Sequence, residues 1–129
     1  MDWLVKSDPD EYSFQDLSRE KRTWWSGVKN PTAVKHLASM KKGDRVIVYH
    51  TGTERSVVGL ATVVADPKPD PENPKSVLVQ LAAGAAAKKP ITLDQIKANT
   101  LFAESPLVKI GRLSVVPLTG AQYSLLAKS

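Results

Sequence analysis

Residues 45–65, RVIVYHTGTERSVVGLATVVA, contain two runs rich in β-branched residues on either side of a short polar segment. β-branched side chains fit the pleated, half-buried surface of a strand, and the polar segment between them suits a turn. We therefore predict two paired strands, 45–50 and 56–65. Gly59 lies inside the second strand, which indicates a bulge or the close approach of another group.

Further strands are predicted on both sides of this pair. Residues 3–6, 76–83 and 112–118 have the same strand-forming chemistry. Four prolines within residues 66–74 predict an exposed loop, because each proline removes a donor from a strand ladder. Residues 84–90 stay open between strand and helix, since their alanines tolerate both.

The predicted helices begin at capping residues. Asn30 is a favoured N-cap and Pro31 a favoured first helical residue, so a helix is expected over about 31–40. Capping boxes predict three more short helices, after Ser13, Thr92 and Thr119. About five or six strands and three to five short helices, without regular alternation, predict an α+β fold with a strongly bent mixed sheet or a small barrel.

Length and composition predict a single soluble domain spanning residues 1–129. The chain has no cysteine, which excludes disulfides, thiolate zinc sites and cysteine nucleophiles. It has no run of about 18 apolar residues of the kind that spans a bilayer. Its first residues also lack the pattern of a signal peptide, in which basic residues precede a long apolar run. A cytoplasmic location is expected, with no membrane partner.

The charge of the chain favours contact with a polyanion. The formal net charge is +5 and the isoelectric point is near 9.5. The cations are spread evenly, with 9 Lys/Arg against 7 Asp/Glu in residues 1–50 and 9 against 6 in residues 51–129. Such a surface suits weak, salt-sensitive contact with phosphates, and an ordinary charged exterior has the same pattern.

The chain lacks the motifs of common enzymes. The P-loop, the dinucleotide-binding glycine motif, the zinc-hydrolase helix motif and the serine-hydrolase elbow are all absent. The two histidines, His36 and His50, lie on a predicted helix and at the end of a predicted strand, a pattern that does not indicate a metal site. We predict no metal, no cofactor and no enzymatic activity. The competing hypothesis is an enzyme with His50 or Asp8 as its acid/base.

Two adjacent tryptophans, Trp24 and Trp25, stand out in a chain with few aromatic residues. Indole combines a large stacking face with one N–H donor, which suits it to hold a flat ligand such as a nucleobase. Packing at the end of a short strand explains the pair equally well. Successive side chains of a strand cannot face the same way, so at least one of the two is expected to line a surface or a cleft.

Several runs together resemble an EVE domain, and their order and spacing cover nearly the whole chain: residues 3–13, 25–30, 48–50, 58–61 and 112–118. The resemblance implies a PUA-like fold. It also implies kinship with the YTH domains, which read methylated adenine in RNA, and with a human member of the family that is associated with modified cytosine in DNA.

The resemblance further implies a pocket that holds a flipped modified base of DNA or RNA: methylated or hydroxymethylated cytosine, or methylated adenine. The candidate ligand-binding residues are Trp24, Trp25, Lys6, Ser7, Ser26, Gly27, Asn30, Tyr49, His50, Arg112 and Ser114. The chain departs from the usual family pattern at Lys29, where arginine is commoner, and at Asp8, where glutamate is commoner. The first change removes a planar five-donor fork.

Alternative interpretations stay open at this stage. Asn30 is already explained as a helix cap, and Lys6 fits either a phosphate contact or the end of a strand. The same pocket also suits an enzyme or binder of small metabolites. A protein-interaction module that uses an exposed strand or the proline-rich segment is the third possibility.

Overall fold

The computed structural model describes residues 1–128 and is built on one six-stranded sheet. The strands are β1 (Asp2–Ser7), β2 (Arg22–Trp25), β3 (Arg45–His50), β4 (Ser56–Asp70), β5 (Asn73–Thr92) and β6 (Val115–Leu118). Over the described residues the helices are α1 (Phe14–Glu20), α2 (Pro31–Ala38), α3 (Leu93–Lys97), α4 (Pro106–Lys109) and α5 (Gly120–Ala127), with a 3-10 helix at Thr100–Phe102.

The sheet is mixed and open. Its order is β2, β5, β4, β3, β1, β6, with β1 parallel to β3 and the other neighbours antiparallel. The predicted α+β class with a mixed sheet is confirmed. Of the two predicted forms, the open sheet is the one adopted, because β2 and β6 form its two edges and the strands do not close into a barrel.

Strand β1 lies at the centre of the core. Trp3, Leu4 and Val5 are all buried, although successive strand side chains point to opposite faces. Pairing with β3 on one side and β6 on the other leaves β1 no free edge, and a strand with both faces covered is apolar throughout. The carboxyl end of β1, Lys6-Ser7, is only half-buried and opens towards a cleft.

Both features predicted at Gly59, a bulge and the close approach of another group, are confirmed. The register of β4 shifts on either side of it, against β5. A Cβ atom added at Gly59 would lie 2.4 Å from the ring of Phe14, the first residue of α1. Glycine therefore lets α1 pack directly on the sheet.

The prediction of an exposed loop over residues 66–74 is wrong. Strand β4 continues to Asp70 and β5 begins at Asn73, so only a tight turn separates them. The reason is that β3 pairs with β4 only as far as Thr62, and β2 pairs with β5 only over residues 79–82. Beyond these partners the two strands form a two-stranded ribbon with free edges, where a proline removes no ladder hydrogen bond.

Other local predictions are confirmed or corrected in detail. The capping boxes at Ser13, Thr92 and Thr119 all form. Residues 84–90, left open between strand and helix, belong to β5. The strand predicted over residues 112–118 begins only at Val115, which leaves Ser114 free to line the cleft.

Candidate nucleic-acid interface

A cleft of about 330 Å³ lies between the end of β1 and the edge strand β2. Its size falls near the lower limit of the roughly 300–1,000 Å³ usual for ligand pockets. Three strands separate β1 from β2 in the sheet, so the sheet must curve strongly for both to line one cleft. The curvature predicted from the sequence is therefore what forms this site.

Trp25 lines the cleft from within the core. It is 7% exposed, and its ring meets the ring of Tyr12 edge to face, with centroids 6.0 Å apart and planes at 85°. The Tyr12 hydroxyl donates a hydrogen bond to Glu20. Burial, followed by that hydrogen bond, raises the pKa of Tyr12 above 10.0, so the phenol stays a neutral donor. The two rings form a fixed aromatic corner.

Trp24 lines the same cleft but contacts another part of the sheet. Neighbouring side chains of a strand point to opposite faces, and the half-buried Trp24 accordingly lies under the ammonium of Lys68, 4.1 Å from its ring centroid. Lys68 belongs to the ribbon formed by β4 and β5. A cation over an indole stabilises both groups, and here it holds the ring at the rim of the cleft.

Hydroxyl groups and flexible backbone line the rest of the cleft. Ser7 Oγ donates to the carbonyl of Tyr12 at 2.5 Å, so its remaining lone pairs are acceptors for a ligand. Ser26 is exposed and makes no side-chain hydrogen bond within residues 1–128. Gly27 has φ of +77°, which glycine adopts without strain, and it turns the chain away after β2.

Charges of both signs border the cleft. Lys6 and Lys29 supply two cations, and Asp8 and Glu11 supply two carboxylates. The Asp8 side chain accepts the backbone N–H of Asp10 at 2.9 Å, which fixes the turn after β1. The cleft therefore suits a polar, flat and uncharged ring, with cations near enough for phosphates outside it.

The family model of the EVE domain matches residues 2–129. The chain belongs to the EVE domain family. Chicken (Gallus gallus) thymocyte nuclear protein 1 is 28% identical over 160 residues, which cover 96% of this chain and 66% of that protein. This EVE domain thus spans slightly less than two thirds of the length of that relative.

Two solved structures are also similar to this EVE domain. Rpa0253 from Rhodopseudomonas palustris is 35% identical, with a TM-score of 0.91 and coverage of 98% of this chain and 90% of that chain. Human THYN1, solved in complex with DNA that contains 5-methylcytosine, is 25% identical, with a TM-score of 0.89 and coverage of 98% and 95%.

The structure brings together seven of the eleven candidate residues of this EVE domain. The seven that line the cleft are Lys6, Ser7, Trp24, Trp25, Ser26, Gly27 and Ser114. Asn30, Tyr49, His50 and Arg112 do not line it. Tyr49 lines a second cavity, and Arg112 is an exposed residue in the turn before β6. Whether the seven bind a ligand stays a prediction.

His50 lies in the core rather than in the cleft. It is 2% exposed, its Nε2 accepts the backbone N–H of Phe14 at 2.9 Å, and its Nδ1 lies 3.1 Å from Glu54 Oε2. These contacts fix the tautomer, with the proton on Nδ1. His50 satisfies one of the free N–H groups at the start of α1, so its acceptor nitrogen is not available to take a proton from a substrate.

Asn30 is a capping residue in this structure. Its side chain accepts the backbone N–H of Ala33 at 3.1 Å, and Pro31 follows it. Replacing Asn30 by alanine is expected to lower the free energy of unfolding by about 1 kcal/mol, whereas aspartate should preserve it. Urea denaturation of the two variants measures this. If the folded Asn30→Asp variant lost ligand binding, this would instead indicate that Asn30 contacts the ligand.

Sequence reasoning left several cleft residues out of the candidate set. Thr23, Val28 and Glu11 also line the cleft, together with Tyr12, Asp8 and Lys29. The signal for Thr23 and Val28 was available, because both flank the tryptophan pair. Glu11 and Tyr12 lie more than ten residues away from that pair, so only the curvature of the sheet brings them to it.

The described residues show neither a metal site nor a membrane-spanning helix. No group of three or more histidine, aspartate or glutamate side chains is placed to hold an ion within residues 1–128. None of the helices over the same range is both long and apolar enough to cross a bilayer.

Proposed function

We propose that this EVE domain is a binding module that accepts one modified base of a nucleic acid in the cleft lined by Trp24 and Trp25. The base is methylated or hydroxymethylated cytosine, or methylated adenine. The cleft carries this proposal, because it combines two indole rings, a third aromatic ring and hydroxyl groups around a space suited to one flat ring. The human relative solved with DNA containing 5-methylcytosine supports it.

The physical basis is a balance between unstacking and recapture of the base. Turning a base out of a duplex costs a few kcal/mol, which aromatic stacking and hydrogen bonds in the pocket must recover. Stacking on one aromatic side chain contributes about 1–3 kcal/mol. Trp25 is 7% exposed and Lys68 covers one face of the Trp24 ring, so the surface offered for stacking is the part of each indole that lines the cleft.

The expected preference for a modified base over the unmodified base is smaller than the contribution of stacking. Burial of one methyl group contributes about 0.8 kcal/mol, which corresponds to about a fourfold preference. The hydroxyls of Ser7 and Ser26 line the cleft and suit contacts with the polar edge of the base. We therefore expect strong dependence on the tryptophans and only moderate preference for the methylated base.

Binding without catalysis fits the contacts of His50. An acid/base role for this residue requires a free nitrogen near a substrate, whereas the Phe14 amide occupies Nε2 in the core. Asp8 is likewise engaged by the Asp10 amide at the turn. The human relative, which was solved in complex with DNA, supports a binding role.

Fluorescence anisotropy with labelled oligonucleotides tests the proposal. The panel pairs cytosine with 5-methylcytosine and 5-hydroxymethylcytosine, and adenine with N6-methyladenine, in single- and double-stranded DNA and in RNA. Replacing Trp24 or Trp25 by leucine is expected to weaken binding of the preferred oligonucleotide by about tenfold to a hundredfold, since stacking is lost.

Tyr123→Leu is the matched control for this experiment. Tyr123 packs against Arg45, which pairs with Asp2 at the opposite end of β1 from the cleft. The control should bind like the wild type, and thermal melting verifies that every variant is folded. Equal, weak binding of all oligonucleotides by the wild type and both tryptophan variants would refute the proposed function.

A further inference from the structure

A second cavity, of about 270 Å³, shares Lys6 with the cleft. Two cations, Lys6 and Arg55, and two hydroxyl-bearing residues, Tyr49 and Thr51, line it. The remaining lining residues are glycines and leucines. A cavity with two cations and hydroxyl donors has the chemistry of an oxyanion site.

Within the described residues, neither cation of this cavity is neutralised by a carboxylate. Lys6 Nζ donates to the carbonyl of Gly111 at 2.9 Å and lies 5.6 Å from the centre of the Tyr49 ring. Within residues 1–128 neither Lys6 nor Arg55 takes part in an ion pair. Burial lowers the pKa of Lys6 below 10.5, as expected for an ammonium that has lost water and gained no anion.

Acidic residues lie near both cations: Asp8 and Glu11 line the cleft that Lys6 borders, and Glu54 and Asp94 adjoin Arg55 and Leu93 in the chain. Glu54 is adjacent to Arg55 in the chain, but its carboxylate lies against His50 Nδ1. Burial raises the pKa of the Tyr49 hydroxyl above 10.0; the Arg55 cation opposes this rise and the Asp94 carboxylate, at the start of α3, adds to it. The hydroxyl therefore remains a donor.

The backbone at Arg55 is held in an unusual conformation. Its φ is +41°, a region that residues other than glycine rarely adopt. The Arg55 carbonyl accepts the N–H of Leu93 at 2.8 Å, which ties this turn to the start of α3. Strained positions of this kind concentrate at functional sites.

We propose that Lys6, Arg55 and the Tyr49 hydroxyl form a phosphate site, which holds a backbone phosphate of the strand whose base enters the cleft. The proposal rests on the proposed function. Lys6 borders both cavities, so the phosphate would lie beside the bound base. Phosphate contacts position a nucleic acid, whereas the base pocket specifies it. Arg55 supplies a planar fork and Lys6 a point charge.

The test is the salt dependence of oligonucleotide binding by three variants. Arg55→Gln should lower affinity by about tenfold at low salt, equally for modified and unmodified strands. It should also make the plot of the logarithm of the association constant against the logarithm of the salt concentration less steep, by about 0.7–0.9, the value for one phosphate. Arg55→Lys keeps the charge and should retain the slope. Lys41→Gln should match the wild type, since Lys41 lies beside Asp44 and Met1 at the amino end of β1, away from both cavities.

The outcomes separate this site from the proposed function. An Arg55→Gln variant with wild-type affinity and slope, in a protein that still discriminates the modified base, would overturn the phosphate site alone. If the wild type binds no oligonucleotide, the proposed function and the backbone-phosphate assignment both fail. NMR titration with inorganic phosphate then determines whether Gly52 and Arg55 respond, which would assign the cavity to free phosphate instead.

Discussion

Replacing Asp44 by alanine is expected to lower the free energy of unfolding by about 3–5 kcal/mol, the usual result of removing one partner from a buried charged network. Asp44 is 9% exposed, and its carboxylate accepts three hydrogen bonds. The donors are Trp3 Nε1 at 2.9 Å, the Lys41 backbone N–H at 3.0 Å and the Met1 amino group at 3.1 Å. Trp3 is 2% exposed, so its N–H would be left without a partner.

Asp66→Ala is the matched control for this prediction. Asp66 is exposed and accepts one hydrogen bond, from the Lys42 backbone N–H at 2.9 Å, so its loss should have a far smaller effect. Chemical denaturation of the two alanine variants gives the comparison. Equal stability of the two would show that the Asp44 network contributes little.

The Asp44 network also predicts a dependence on pH. Burial by itself raises the pKa of Asp44, but the hydrogen bonds from Trp3, Lys41 and the amino terminus outweigh it, and the pKa lies below 3.8. The folded state therefore binds this proton less readily than the unfolded state. The stabilisation is fully present well above pH 3.8 and is lost progressively as the pH falls from there through the folded value. The stability difference between the wild type and Asp44→Asn should narrow on acidification; a constant difference would contradict this.

Replacing Gly59 by alanine is expected to lower the free energy of unfolding by about 2–3 kcal/mol, through overpacking. The new methyl group would lie 2.4 Å from the Phe14 ring, which is itself buried. Phe14 has little freedom to move, because the residue is only 4% exposed and its backbone N–H donates a hydrogen bond to His50 Nε2 at 2.9 Å. The strain would therefore be shared between α1 and β4. Denaturation by urea measures the loss.

Two further variants isolate the cause. Gly120→Ala makes the same chemical change at the start of α5, where no neighbouring atom of the described residues lies within 4 Å of the new methyl group, and it should be neutral or slightly stabilising. In a Phe14→Leu background the added cost of Gly59→Ala should shrink, since the obstructing ring is gone. An unchanged cost in that background would show that the strain does not arise from Phe14.

The local predictions succeeded where neighbouring residues determine the structure. Asn30-Pro31 and the capping boxes specify helix starts, because a cap and the amides it satisfies lie within three residues of each other. The loop predicted from the prolines of residues 66–74 was wrong, because the structure there is not determined by neighbouring residues. The effect of these prolines depends on whether a third strand is present beside them, and that is a property of the sheet rather than of the segment.

The candidate site was predicted in part. The tryptophan pair and its neighbours Ser26 and Gly27 are contiguous in the sequence and lie together in the cleft. His50 was a candidate because of its chemistry, and burial against Phe14 and Glu54 removes it from the cleft. Tyr12 was not among the candidate residues, yet its ring forms the aromatic corner with Trp25.

The sequence by itself determined the strands around residues 45–65, the helix starts and the family, because propensity, capping and motif order act through nearby residues. Only the tertiary structure decided that the sheet stays open and that its curvature brings β2 to the end of β1. It also decided that Lys6 borders two cavities rather than one. These features depend on contacts between residues far apart in the chain, which no local pattern encodes.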